Sequence, residues 1–284
     1  NSAEDTLVGF RQMMMNIPGM LESHDITDLI DAFKDYPAII VGAGPSLDKN
    51  YKLLHEVRDK AVIISSDTAL RKLLADDIHP HIVVSLERGL IIYQKHFADL
   101  PKIPEGTVLF VQSVCVPEMA GTWQGGPFCL GFKWGLPLDH WFSGLTHLPL
   151  IRSGASCTHL AYTLALMMGC RKLVLIGQDL AYAPDGATHS KATAWDGQTK
   201  ETLNDGQTKY ITVPGNLGED VLTHDVWLLF KRIFEEWFAE DKDRYEGFRL
   251  FNATEGGAVL EGAEVISLRE FIDEHAASLP SMPR

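Results

Sequence analysis

Short, continuously apolar, β-rich runs recur along the chain, and most end in small or polar residues before a stretch with helical spacing. Ala38-Ile39-Ile40-Val41 is the clearest: Pro37 opens it, Gly42-Ala43-Gly44-Pro45-Ser46 closes it, and a helix is expected from Lys49 to Val57. Ala61 to Ser65, His81 to Ser85, Val108 to Val111 and Leu173 to Ile176 read as further strands. A helix is expected at Thr68 to Leu74, and a buried Ala/Leu-rich one at Ser153 to Met168. Runs that do not alternate with polar residues must be covered on both faces, and strands joined through helices run parallel. The pattern therefore predicts an α/β fold with a Rossmann-like, doubly wound, mostly parallel sheet.

Residues 4–36 carry apolar side chains at helical spacing, with Pro18-Gly19 as a breaker, and so predict an N-terminal extension of two helices over 1–36. The nucleotide-binding domain is expected over 37–284. Within it, Gly121 to Gly144 is Gly- and Trp-rich. Residues 182–218 lose periodicity and contain Asp-Gly-Gln-Thr-Lys twice, so a lid is expected over about 183–218, mobile over 183–210. An amphipathic helix is expected from Glu219 to Glu240, and a last strand at Phe248 to Phe251.

The net charge of −13 gives no support to a surface that tracks nucleic-acid phosphates. Cys115, Cys129, Cys157 and Cys170 are far apart and form no CxxC pair, which argues against a zinc site or a disulfide framework and favours a reducing cytosol. No apolar run is long enough for a membrane span and no signal-peptide pattern opens the chain, so a soluble, cytoplasmic protein is expected. Asn1-Ser2-Ala3 without Met implies processing, or a piece of something longer.

Ligands of doubly wound sheets bind beyond the carboxyl ends of the strands. There, Gly42 and Gly44 permit close backbone approach, and Pro45 and Ser46 lead into a helix whose first N–H groups suit a phosphate. On this reading Gly44→Val blocks a ligand and leaves the fold intact. Leu47 occupies the third glycine position of a dinucleotide fingerprint, and a Walker Lys-Ser/Thr pair is absent. Asp67, Glu87 and Ser113 follow the next runs and could bind ribose or base; each alone is better explained as a helix cap, and it is their convergence on one sheet edge that points to a site. Ser153 and Gly154 begin the Ala/Leu-rich helix, and Gln178 and Asp179 end the strand after it.

The segments Ala38 to Asp48, Asp67 to Leu74, Ile78 to Glu87, Ser153 to Tyr182, Thr188-His189 and Asn252 to Ala258 resemble, in order, the central domain of bacterial motility accessory factor (Maf) glycosyltransferases. Asp is usual in that family where this chain has His81 and Glu87. The same family includes 6-hydroxymethylpterin pyrophosphokinases, and the Gly-x-Gly-Pro-Ser-Leu and Ser-Gly segments are similar to bacterial sialyltransferases. The resemblance implies a sialyltransferase-like core that transfers a nonulosonic acid from a CMP-sugar donor to flagellin Ser or Thr, with no cofactor or metal required. It implies that Gly42, Gly44, Pro45 and Ser46 hold the nucleotide phosphate or ribose. Asp67 and Ser113 would flank base or ribose, and Ser153 and Gly154 would face sugar or phosphate. His189 is the expected base, beside Asp179, with His224 as its rival. The alternatives are a pterin pyrophosphokinase using ATP and Mg²⁺, with Asp179 or Glu87 as metal ligand, and a non-catalytic module that binds a nucleotide sugar or flagellin.

Overall fold

The computed structural model describes residues 3–100, 103, 105–123, 126–203, 206 and 208–282. Its strands are β1 (Ala38–Val41), β2 (Val62–Ser66), β3 (Ile82–Ser85), β4 (Val108–Gln112), β5 (Phe128–Lys133), β6 (Leu150–Ile151), β7 (Lys172–Ile176), β8 (Tyr210–Pro214), β9 (Asp220–His224), β10 (Arg249–Asn252) and β11 (Glu264–Val265). The helices are α1 (Ala3–Met15), α2 (Ile17–Glu22), α3 (Leu47–Asn50), α4 (Asp67–Ala75), α5 (Leu90–His96), α6 (Glu118–Thr122), α7 (Pro137–Thr146), α8 (Cys157–Met167), α9 (Lys200–Leu203), α10 (Asp225–Arg244) and α11 (Leu268–His275). Nine strands form one sheet in the order β11-β10-β7-β1-β2-β3-β4-β5-β6, and every pairing in it is parallel.

The apolar runs are explained by two covering layers. Alternate residues of a strand face opposite sides. Ile39, Val41, Ile63, Val174 and Ile176 pack with Leu47, Leu268, Phe271 and Ile272 of α3 and α11. Ala38, Ile40, Val62, Ile64, Leu173 and Leu175 pack with Leu160 and Leu164 of α8 and Phe234 and Phe238 of α10. Both neighbours of β1 are parallel: β2 on one side and β7 on the other. The chain builds outward from β1 to β6, then returns to place β7 against the other flank of β1. The topological switch point therefore lies between β1 and β7.

Several expectations are corrected. Pro18 breaks nothing: it sits in the first turn of α2, where its missing N–H has no intrahelical partner to lose. The break falls at Asn16, whose amide donates to the carbonyls of Ser113 and Cys115. The second leading helix shrinks to a 3₁₀ turn over Ile26–Leu29, and the helix expected from Lys49 to Val57 is α3 followed by a 3₁₀ turn over Tyr51–Glu56. Gly121 to Gly144 contains β5 and the start of α7; Gly131 hides the strand because a Cβ there would lie 2.6 Å from the Phe110 ring. The stretch 182–218 is not aperiodic throughout, since β8 lies inside it. Residues 220–224 are strand, not helix, because β9 pairs antiparallel with β8 from Tyr210↔His224 to Pro214↔Asp220. Arg249–Asn252 is followed by one more strand, β11. Among the described residues no helix is long and apolar enough to cross a membrane.

Candidate functional site

At the switch point the turns after β1 and β7 lie directly against each other. Gly42 N–H donates to Ile176 O, and Gly44 N–H to Gly177 O, both at 2.8 Å. A Cβ on Gly42 would stand 2.4 Å from Gly177 O, and one on Gly44 would stand 2.1 Å from Asp179 Oδ2. The glycines thus admit the neighbouring turn, so the expectation that Gly44 keeps space open only for a ligand is corrected. Asp179 is buried, and its two oxygens accept from Ser46 N–H (3.1 Å) and Ser46 Oγ (2.8 Å). Ser46 therefore bonds across the switch point and makes no side-chain cap to α3. Burial outweighs these bonds and the nearby Lys49, and pushes the Asp179 carboxyl up to about 6. The loop after β10 closes the site from the other side, with Ala258 N–H donating to Asp179 O and Gln178 N–H to Thr254 Oγ1.

Two cavities open beside this junction and share Asp179 and His189. The first, about 300 Å³, runs from Gly42, Gly44 and Gln178 past Asp67, Glu87 and His96 to Ser156 and Thr158 at the start of α8, with Trp195, Trp227 and Phe230 as aromatic walls. The second, about 620 Å³, is lined by Pro45 and Ser46, by the lysines Lys49, Lys191 and Lys200, and by carboxylates including Asp185, Glu219 and Asp220. A cavity of about 730 Å³ lies at the opposite, amino-terminal end of β2–β4, next to Val62, Ile82 and Val108. It is remote from the converging polar strand ends.

Asp67 lines the first cavity but is almost wholly enclosed, its oxygens engaged from several sides. Ser85 Oγ donates to Oδ2 at 2.6 Å, and Thr68 N–H to Oδ1 at 2.7 Å. Oδ1 also receives the Cys157 thiol at 3.6 Å and lies 3.5 Å from His96 Nδ1. Burial opposes its charge, but His96 and the Ser85 and Thr68 bonds hold the carboxyl below its ordinary range. Glu87, further along the wall, is raised by burial and by the Asp67 charge. His189 is half-buried, its Nδ1 2.9 Å from Thr188 Oγ1. Burial, then His96, push it down to about 4, so it is neutral near pH 7. His96 did not stand out in the sequence, where it is the last residue of an unremarkable short helix.

Not every expected residue reaches the cavities. Ser113 is buried with its carbonyl taken by Asn16 and its hydroxyl 3.4 Å from Asp139, so the junction of α1 and α2 has closed that strand end. Ser153 is also buried away from the cavities. Gly154 has φ +58°, packs against His159 and Trp237, and gives its carbonyl to Lys133 Nζ. The helix begins later than expected, at Cys157, with Ser156 as its cap, so Ala155 to Thr158 take the place in the cavity that Ser153 and Gly154 were expected to fill. His224 packs at a tilt against Trp227, ring centres 4.2 Å apart, and Tyr182, 5.8 Å apart, and lines neither cavity.

The segment over the junction is tied down. Ser190 N–H donates to Ala43 O, Ser190 Oγ and Lys191 N–H donate to Asp48, and the Lys191 carbonyl accepts from Lys72. Lys72 and Asp48 form an ion pair at 2.7 Å, and the Lys95 ammonium lies 4.0 Å from the Trp195 ring centre. Asp48→Ala should therefore release the strap. With Lys72 buried and its partner a third exposed, the loss should be about 2 kcal/mol. Limited proteolysis should then cut between 184 and 200 faster than in the parent. Equal cleavage rates would show that these bonds do not hold the strap.

The sheet and its flanking helices make a glycosyltransferase-like fold. Over 91% of its length the chain is similar to the solved structure of a Maf glycosyltransferase from Magnetospirillum magneticum AMB-1, with a TM-score of 0.62 and 20% identity, and it spans 40% of that protein. Residues 11–185 match the family model described as 6-hydroxymethylpterin diphosphokinase MptE-like, and the chain belongs to this MptE-like family. An uncharacterized protein of Treponema pallidum (strain Nichols) is 34% identical over 64 residues, which are 22% of this chain and 30% of that protein.

Proposed function

We propose that the cleft is a transferase site that moves a nonulosonic acid from a CMP-activated donor to a hydroxyl acceptor, flagellin Ser or Thr, in the cytoplasm. The observation that carries this reading is the pair of cavities meeting at Asp179 and His189. A donor has two unlike parts, and the cleft has two unlike compartments. Lys49, Lys191 and Lys200 around the second suit the nucleotide phosphate, with Pro45 and Ser46 at its edge. The first offers Glu87, Gln178, Ser156 and Thr158 to sugar hydroxyls and aromatic walls to the ring. Chemistry of this kind asks the protein for positioning and charge stabilisation, because CMP leaves readily once its phosphate is held. His189 sits where donor and acceptor would meet.

The family-model description favours a second reading, pyrophosphoryl transfer from ATP to a hydroxymethylpterin. The aromatic walls would then hold the pterin and the lysines the triphosphate. Asp179 or Glu87 would hold the Mg²⁺ that this chemistry requires, and the ion would supply charge neutralisation on the triphosphate. A third reading keeps binding of a nucleotide sugar or of flagellin without turnover.

Calorimetry with CMP, CMP-N-acetylneuraminic acid, ATP and a hydroxymethylpterin, each with and without Mg²⁺, separates them. The first reading expects cytidine binding independent of Mg²⁺ and donor turnover. Tight, Mg²⁺-dependent ATP binding with none for CMP would replace it by the second, and binding without turnover of any donor by the third.

A further inference from the structure

We propose that His96, positioned by Asp67, is the acid–base group of this cleft and takes the proton from the acceptor hydroxyl. The inference rests on the reading of the cleft as a transferase site. It holds for either donor, because a sugar acceptor and a hydroxymethylpterin both react through a hydroxyl.

His96 is only 1% exposed, yet it lines the first cavity; its Nδ1 faces Asp67, and its Nε2 has no hydrogen-bond partner among the described residues. Burying an unpaired polar group costs about 1–3 kcal/mol, so an imidazole kept this way inside a cavity is explained by a ligand that completes it. Asp67 Oδ1 stands 3.5 Å from Nδ1, and Asp67 is itself fixed by Ser85 and Thr68. A carboxylate on that side favours the tautomer with the proton on Nδ1 and leaves Nε2 as the accepting nitrogen.

The other groups facing this part of the cavity are less suited. His189, on the strap, is a weak base, pushed down to about 4 by burial and by His96. Glu87, beyond β3, is raised by burial and by the charge of Asp67. The Cys157 thiol, at the start of α8, donates to Asp67 and is pushed well up by burial. Trp195 supplies only an edge, 6.0 Å from the His96 ring centre.

In the step, the acceptor O–H bond breaks and its proton passes to Nε2. The freed oxygen pair forms the bond to the anomeric carbon of the CMP-activated sugar. The carbon–oxygen bond to phosphate breaks, and its electrons leave with CMP. The imidazolium then returns its proton to solvent.

The test uses the whole chain with CMP-N-acetylneuraminic acid and follows its hydrolysis, with water as the simplest acceptor. His96→Gln should slow turnover by about 10²-fold or more while the Kd for CMP stays within about threefold. Asp67→Asn should slow it by about 10-fold, and His189→Ala by less than His96→Gln. Unchanged turnover in His96→Gln, or a parallel loss of CMP affinity, would overturn the assignment. Long-range ¹H–¹⁵N spectra give a readout independent of turnover: Nδ1 should carry the proton, Nε2 should be bare, and saturating donor should move the His96 signals. The reverse tautomer, or signals indifferent to every bound nucleotide, would overturn it. A wild-type chain that binds neither cytidine nor adenine nucleotides would instead sink the transferase reading, and the tautomer would still judge the Asp67–His96 arrangement.

Discussion

Gly44→Val should unfold the switch point, not merely block a ligand. The first carbon of the new side chain would stand 2.1 Å from Asp179 Oδ2, 2.7 Å from its Cγ and 2.8 Å from Gly177 O. One neighbour is backbone. The other is a carboxylate held from two sides by Ser46, so neither yields cheaply. Relief requires separating the turns after β1 and β7, which breaks the Gly44 N–H to Gly177 O bond as well. Overpacking of this severity should cost about 3 kcal/mol or more. A large fall in Tm, with nucleotide binding lost alongside, is the expected result of thermal unfolding and calorimetry. A variant with the parent's Tm and lost binding would mean that the glycine serves the ligand alone.

Asp179→Asn should do the opposite to stability. The carboxyl is raised by burial from its ordinary 3.8 to about 6 in the folded chain, so the folded state binds a proton more tightly than the unfolded one. Stability therefore falls as pH rises from about 4 to about 6, and the deficit is complete above that window. With a difference of roughly two units, the ionised carboxylate costs about 2–3 kcal/mol at neutral pH. Asparagine removes the charge and keeps the geometry: Oδ1 still accepts from Ser46 N–H, and the amide can donate to Ser46 Oγ, which turns from donor to acceptor. The variant should be more stable than the parent at pH 7.5 and lose that advantage below about pH 4. Chemical denaturation across pH measures this. Equal stability at every pH would show that Asp179 is not held against its charge. If donor turnover falls while stability rises, the buried carboxylate is retained for function at a cost to the fold.

The sequence revealed those parts of the fold that depend on local pattern. Val62–Ile64 and Leu173–Ile176 are apolar runs within β2 and β7, and the polar residues soon after them, Asp67 and Asp179, mark the carboxyl edge of the sheet. Elements held by distant contacts were harder to see. β5 carries Gly131 because the Phe110 ring passes over it, and β9 looked like the start of α10 until its partner β8 was in place. The site divides in the same way. Strand ends point to Gly42, Gly44, Asp67, Glu87 and Asp179, but spacing alone could not tell that Asp67 would be used up by Ser85, Thr68 and His96. Nor could it show that the junction of α1 and α2 would bring Asn16 to cover the end of β4 at Ser113. His96 gave no signal at all, since what distinguishes it is a buried imidazole that meets a carboxylate from another helix on one side and, among the described residues, no hydrogen-bond partner on the other.

If the junction of β1 and β7 binds an activated donor across two compartments, a crystal structure of the chain with CMP-N-acetylneuraminic acid should show the nucleotide phosphate beside Ser46 and Lys49, and the sugar in the first cavity with its reacting carbon facing His96. A nucleotide seated away from the 42–46 turn, for instance in the large cavity at the amino-terminal end of β2–β4, would contradict it.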